Sequence, residues 1–215
     1  MVKKHFLYIL FFITMTTLIS SLYSSDALTS ITFQIKQNNK RKVIELLKDG
    51  VNLNQKNDGE PYPLFAAIEK QNLQITQILL ENGANPNLQY RFQGRDTTAL
   101  QLAVDLENHQ IAVLLLNNKA NPNKPQRTPL HIAAKKGNSE IIKLLLNHTA
   151  DPNAEDAEKN TPLHEAAAHG NFLAVKTLVE YKPNLTCTKE VKQEKYPSVN
   201  IDKALSNLAS ALYAL

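Results

Sequence analysis

The chain has 215 residues, of which 43% are hydrophobic, 7% aromatic and 20% charged, with no Trp and a single cysteine, Cys187. One cysteine excludes an intramolecular disulfide, and the length suits one folded domain plus an export segment. Net charge is +4, of which Lys3 and Lys4 at the N-terminus supply two charges, and the remaining +2 is too small an excess to predict nucleic-acid binding. Met1–Ser25 predicts a secretory leader: Lys3 and Lys4 form a positive start, Phe6–Ile19 is apolar apart from three threonines, and Ser20–Ser25 is small and polar. The apolar run is 14 residues long, short of the roughly 20 that span a bilayer. Cleavage between Ser20 and Ala27 exports the protein, periplasmic or secreted; retention of the segment anchors it to a membrane.

From Ala27 onward the chain repeats itself. Thr29–Asn39 is a polar first copy, continued by VIELLKDGVNLN. Tyr62–Asn72 (YPLFAAIEKQN) follows 33 residues later, Thr98–Asn108 (TALQLAVDLEN) 36 later, Thr128–Asn138 (TPLHIAAKKGN) 30 later and Thr161–Asn171 (TPLHEAAAHGN) 33 later. The fullest copy is Thr128–Asn153. Thr128 and Pro129 predict a helix start, since Thr caps and Pro needs no amide donor in the first turn. Leu130, Ala133 and Ala134 form a narrow apolar stripe, Gly137-Asn138 breaks the helix, and Ile141, Ile142, Leu144, Leu145 and Leu146 belong to a second one. Neither short helix buries its apolar face alone, so the unit requires copies of itself.

A period near 33 with a T-P-L-H-x-A core resembles the ankyrin-repeat family, over most of the chain. The resemblance implies an all-α fold, a solenoid of stacked helix-turn-helix units with hairpin fingers, over residues 27–215. Its repeats lie near 29–61, 62–97, 98–127, 128–160 and 161–195, with a half-repeat cap at 196–215; residues 1–25 are the leader.

In the first copy, Thr32 and Gln34 stand where the reference copy has His131 and Ala133, which suits a cap with one face in water. Gly50 and Gly83 follow the second helices, where the family turns through a left-handed residue; Lys119 and Thr149 hold the same place and are predicted to be strained there. Seven residues link Asn54 to Tyr62 and Asn153 to Thr161, ten link Asn87 to Thr98, and four link Asn123 to Thr128. These links are the family's fingers, so the ten-residue one is expected to protrude and the four-residue one to be clipped. Tyr181–Tyr196 is read as a long polar loop. Asn200–Leu215 places Ile201, Ala204, Leu205, Leu208, Ala209 and Leu212 on one helical face, as a C-terminal cap.

Motifs for chemistry are weak. His164 and His169 are five apart, whereas a zinc-protease helix needs His at i and i+4. The resemblance places His131 and His164 in a network between neighbouring turns. Asp151–Pro162 has Asp156 where a calcium loop needs Gly, and Pro162 where it needs Glu. No phosphate loop, G-x-S-x-G or C-x-x-C occurs. Cys187 as a nucleophile has no partner in the pattern. Asn147 and Asn184 begin glycosylation sequons, relevant only on a eukaryotic export route. No catalytic residue, metal or cofactor is expected.

The family's geometry assigns partner binding to the finger tips and the exposed side of each first helix, which line a concave face. Here that side carries Glu69-Lys70, Asp105-Leu106, Lys135-Lys136 and Ala168-His169. The long finger adds Tyr90, Arg91, Phe92 and Arg95, with both aromatics expected to be exposed; the short one adds Lys124 and Arg127. Aromatic and Arg residues together suit a recognition patch. The predicted site is therefore Tyr90, Arg91, Phe92, Arg95, Asp105, Lys124, Arg127, Lys135, Lys136 and His169. The expected function is non-enzymatic binding of a protein partner by a monomer, with no nucleic acid and a membrane only if the leader is retained. Alternatives are a membrane-tethered scaffold and an accessory subunit of an enzyme.

Overall fold

A computed structural model of the chain describes residues 30–56, 59–124 and 127–181. The leader, Cys187, the Asn184 sequon, the loop beyond Tyr181 and the Asn200–Leu215 cap lie outside the described residues. The chain divides into two compact units after Asn85. The first holds α1 (described over residues 30–36), α2 (Lys40–Lys48), α3 (Pro63–Glu69) and α4 (Leu73–Glu81). The second holds a hairpin of β1 (Gln89–Phe92) and β2 (Arg95–Thr98), then α5 (Ala99–Asp105), α6 (His109–Asn117), α7 (Pro129–Lys136), α8 (Ser139–Asn147), α9 (Pro162–Ala168) and α10 (Phe172–Glu180).

Helices of seven to nine residues are too short to persist alone in water. Most start on a capping side chain or a first-turn proline, and each buries a face against a neighbour. Pro63, Pro129 and Pro162 sit in the first turn of α3, α7 and α9, where the missing N–H costs nothing. In α5, Ala99 replaces Pro and a capping box takes over. Gln101 N–H donates to Thr98 Oγ1 at 3.3 Å, and Thr98 N–H donates to Gln101 Oε1 at 2.8 Å. The second helices open on Asn, whose Oδ1 accepts an N–H three residues on: Lys42 at 3.2 Å, Ile75 at 2.9 Å, Ile111 at 3.0 Å and Ile141 at 3.1 Å. Asn171 is different. Its amide donates back to the carbonyls of Ala134 (2.9 Å) and Lys135 (2.7 Å), closing the end of α7 in the preceding repeat. Gly137 leaves room for it, since a Cβ there would stand 2.9 Å from the Asn171 side chain.

In the second unit α7 packs against both α5 and α9, while α8 packs against α6 and α10. The core between them mixes Leu100, Ala103, Val104, Leu130, Ala133, Ala134 and Ala166 of the first helices with Ile111, Leu115, Ile141, Ile142, Leu145 and Leu178 of the second, all fully buried. In the first unit α3 and α2 both pack on α4, around Phe65, Ile68, Ile75 and Leu79. Two expectations of exposure fail here. Leu106 is half-buried, and Ala168 is buried at 8% exposure, whereas Glu69, Lys70, Asp105, Lys135 and Lys136 are exposed as expected. The fingers also differ from expectation. Among the described residues only the ten-residue link forms paired strands; residues 154–160 instead close a turn from Asp156 N–H to the Asn160 carbonyl, 2.9 Å, with Lys159 left-handed.

The chain leaves α2, α4, α6 and α8 through a left-handed residue: Gly50 (φ 76°), Gly83 (87°), Lys119 (65°) and Thr149 (64°). Three of these turns are bridged from the preceding repeat by an asparagine amide. Asn54 donates to the Gly83 carbonyl (3.0 Å) and accepts from Asn85 N–H (2.7 Å). Asn87 does the same with Lys119 and Asn121, and Asn123 with Thr149 and Asp151. A Cβ in the left-handed region costs ~1–2 kcal/mol, more for a β-branched residue, against ~0.4–1 kcal/mol of unfolded-chain entropy gained by Gly. Thr149→Gly keeps the bridging carbonyl, so it is expected to raise the urea midpoint, and by more than Lys119→Gly does. A lower midpoint for Thr149→Gly would mean that its side chain contributes more than its backbone loses.

His131 joins two repeats. Its Nδ1 accepts from Thr128 N–H at 3.2 Å, and its Nε2 lies 2.9 Å from the Asn160 carbonyl, to which it donates. His164 Nδ1 accepts from Thr161 N–H at 3.1 Å. The third repeat performs the same task with Gln101, whose Nε2 donates to the Arg127 carbonyl. Burial pushes both imidazoles below their ordinary pKa, opposed at His131 by the Asn160 carbonyl and at His164 by Asp156 and Glu155. The folded state thus resists protonation, and the unfolded state binds more protons once pH falls below about 6.5. Stability held above that pH is lost as pH falls from the unfolded towards the depressed folded value. The double variant His131→Gln/His164→Gln is expected to flatten the urea midpoint between pH 7.5 and 5, while the parent chain loses stability across that window. Equal slopes would show that the imidazoles do not carry the acid sensitivity.

Candidate functional site

The site is built on the hairpin. Gln93 (φ 48°) and Gly94 (φ 79°) turn it with two left-handed residues, the arrangement that matches the twist of a two-residue hairpin loop. The register pairs Tyr90 with Thr97 and Phe92 with Arg95 on one face, and Arg91 with Asp96 on the other. Tyr90 and Phe92 are half-buried whereas Gln89 and Arg91 are exposed, so the two aromatics expected to stand in solvent do not. Alternation along a strand puts both on the same, partly covered face.

Within the second unit the hairpin forms one wall of a groove of about 1020 Å³. Gln89, Phe92, Gln93, Arg95, Asp96 and Thr97 line that wall. The first helices supply the floor: Gln101, Leu102 and Asp105 from α5, Ile132, Lys135 and Lys136 from α7, and Glu165 from α9. Arg127 and the turn Asp156-Ala157-Glu158 complete the lining. The groove brings together six of the predicted residues, Phe92, Arg95, Asp105, Arg127, Lys135 and Lys136. Tyr90, Arg91, Lys124 and His169 do not line it; Lys124 is exposed on its link and His169 caps the end of α9.

Charges alternate across the groove. Lys136 Nζ lies 3.5 Å from Asp105 Oδ1 and 3.7 Å from Glu107 Oε1, a pairing of half-exposed groups worth no more than about 1 kcal/mol. Lys135 is exposed beside it. Arg127 Nη2 stands 3.8 Å from Glu165 Oε1, and His169 Nδ1 is 3.7 Å from Glu165 Oε2 but hydrogen-bonds the Glu165 carbonyl at 2.9 Å. The Glu165 side chain is 8% exposed. Among the described residues, neither its Oε2 nor the buried Nε of Arg127 makes a hydrogen bond. Glu165, Asp156 and Glu158 were absent from the predicted site. The signal for Glu165 lay in the repeats themselves, because the same position holds Ala66, Leu102 and Ile132 in the other well-formed copies.

No group of three or more His, Cys, Asp or Glu able to hold a metal ion occurs among the described residues, and none of their helices is long and apolar enough to cross a membrane. The groove presents an aromatic ring, charges of both signs, and apolar and ionic groups from the first helices. The model of the family described as ankyrin repeats, in three copies, matches residues 31–126 and 121–189. No curated protein matches the chain.

Proposed function

The chain belongs to the ankyrin-repeat family, and on that premise we propose that it is a non-enzymatic protein-binding module whose partner seats in the groove between the β1–β2 hairpin and the first helices α5, α7 and α9. Ankyrin repeats generally serve protein–protein interaction. The observation that carries the choice of surface is the convergence of Phe92, Arg95, Arg127, Lys135 and Lys136 on one groove from four separate segments. The hairpin ladder and the buried caps hold these groups in place before a partner arrives, so less side-chain and loop entropy is lost on binding. The leader-like segment with Lys3, Lys4 and the apolar run Phe6–Ile19 supports action outside the cytoplasm, which N-terminal sequencing of the mature protein tests.

Phe92→Ala/Arg95→Ala is expected to weaken a partner recovered by affinity capture at least about tenfold, the loss of a modest hot spot. Arg91→Ala, on the other hairpin face, is expected to bind like the parent. Arg91→Ala should keep its stability within about 0.5 kcal/mol, as surface changes do, and the urea midpoint of Phe92→Ala/Arg95→Ala checks that the half-buried ring is not needed for folding. Equal binding by the parent and Phe92→Ala/Arg95→Ala would remove the groove from the recognition surface.

A further inference from the structure

We propose that Glu165 is the anchor of the groove, and that it receives the guanidinium of an arginine on a partner polypeptide. This rests on the groove being the partner-facing surface and names the chemistry it selects. Three observations carry it. First, a carboxylate stands in a column that the chain otherwise fills with Ala66, Leu102 and Ile132, so packing alone does not ask for it. Second, that carboxylate is more than nine-tenths buried, lines the groove, and leaves Oε2 without a hydrogen bond among the described residues. A buried charge with an unmet oxygen is costly unless a donor arrives. Third, Asp156 and Glu158 also line the groove, adding two carboxylates to that of Glu165.

Arg127 does not complete the site. It stands 3.8 Å from Oε1, beyond hydrogen-bond length, and its own buried Nε lacks an acceptor. The pair is one donor short at Glu165 and one acceptor short at Arg127. A peptide arginine offers both kinds of group, a guanidinium donor for the Glu165 carboxylate and a backbone carbonyl acceptor for Arg127, once the two buried side chains turn into the groove. Arginine fits better than lysine because its planar fork bridges neighbouring carboxylates and is less strongly hydrated. A small metal cation would meet Oε2 but leave Arg127 Nε unmet.

The test titrates the full chain with Nα-acetyl-L-arginine amide and follows backbone amide resonances. Saturable shifts centred on Arg127, residues 156–158 and Glu165 are expected, at least tenfold weaker with the neutral isostere Nα-acetyl-L-citrulline amide, and lost in Glu165→Gln. No saturable shift, an equal response to citrulline, or an unchanged response in Glu165→Gln overturns the proposal. Glu165→Leu gives an independent reading, since it restores the residue type of Leu102. Its thermal midpoint is expected to rise while arginine binding disappears; a fall would assign the carboxylate to the fold and overturn the anchor. If Phe92→Ala/Arg95→Ala still abolishes partner capture while arginine amide fails to bind, the groove stands and the anchor alone is wrong.

Discussion

A helix of two turns does not survive in water by itself, and every feature of this fold answers that constraint. Nucleating such a helix fixes several residues for one hydrogen bond. The chain offsets that cost in two ways. Side chains close orphan backbone groups at most of the starts, as Thr98 with Gln101 and Asn138 with Ile141 do. Neighbouring repeats then bury the apolar faces, α7 between α5 and α9, α8 between α6 and α10. Polar side chains reach across the same boundaries: His131 to Asn160, Gln101 to Arg127, Asn171 to Ala134 and Lys135. Within the second unit adjacent repeats are therefore joined by apolar contact inside and by directional bonds at the edges.

Against this background of satisfied groups, the groove is an exception. Most buried polar side chains in the framework have a partner; Thr98, Gln101, Thr128 and His131 all do. Glu165 Oε2 and Arg127 Nε are the buried side-chain atoms left over among the described residues, and they face each other's neighbourhood in the one groove. Proteins tolerate such strain where it serves recognition. Rigid surroundings make the tolerance affordable, since the stacked helices fix α9 whatever its surface residue.

The repeat framework was legible because its signals are local. Thr-Pro before Leu130 and Leu163 marks a helix start, and the place of Gly50 and Gly83 identified Lys119 and Thr149 as left-handed, which they are. Gln71 and Glu107 are left-handed too, at the end of the first helices. Lining them up with Gly137 and Gly170 would have revealed it. The site was legible only in part. Phe92, Arg95, Arg127 and the lysines could be placed on fingers and helix ends, but whether a ring is covered depends on strand alternation, and Tyr90 and Phe92 turned out half-buried. Glu165 was missed because a charged residue beside His164 reads as solvated surface. Its burial comes from α7 and the Arg127 link, residues distant in sequence. The turn at Asp156 enters the site for the same reason.

The asparagine bridges have a consequence for how such a chain can change length. Each spans from the end of one repeat to a backbone carbonyl and N–H of the next, and those groups are chemically alike from repeat to repeat. If residues 88–123 were excised as a block, Asn87 would meet the Thr149 carbonyl and Asp151 N–H where it now meets Lys119 and Asn121. Unequal recombination between repeats thus leaves the backbone bookkeeping intact. The same excision would carry away the hairpin and one wall of the groove. A change of repeat number at this place therefore alters the groove as well: the asparagine bridges keep their match, while the wall lined by Phe92 and Arg95 is lost.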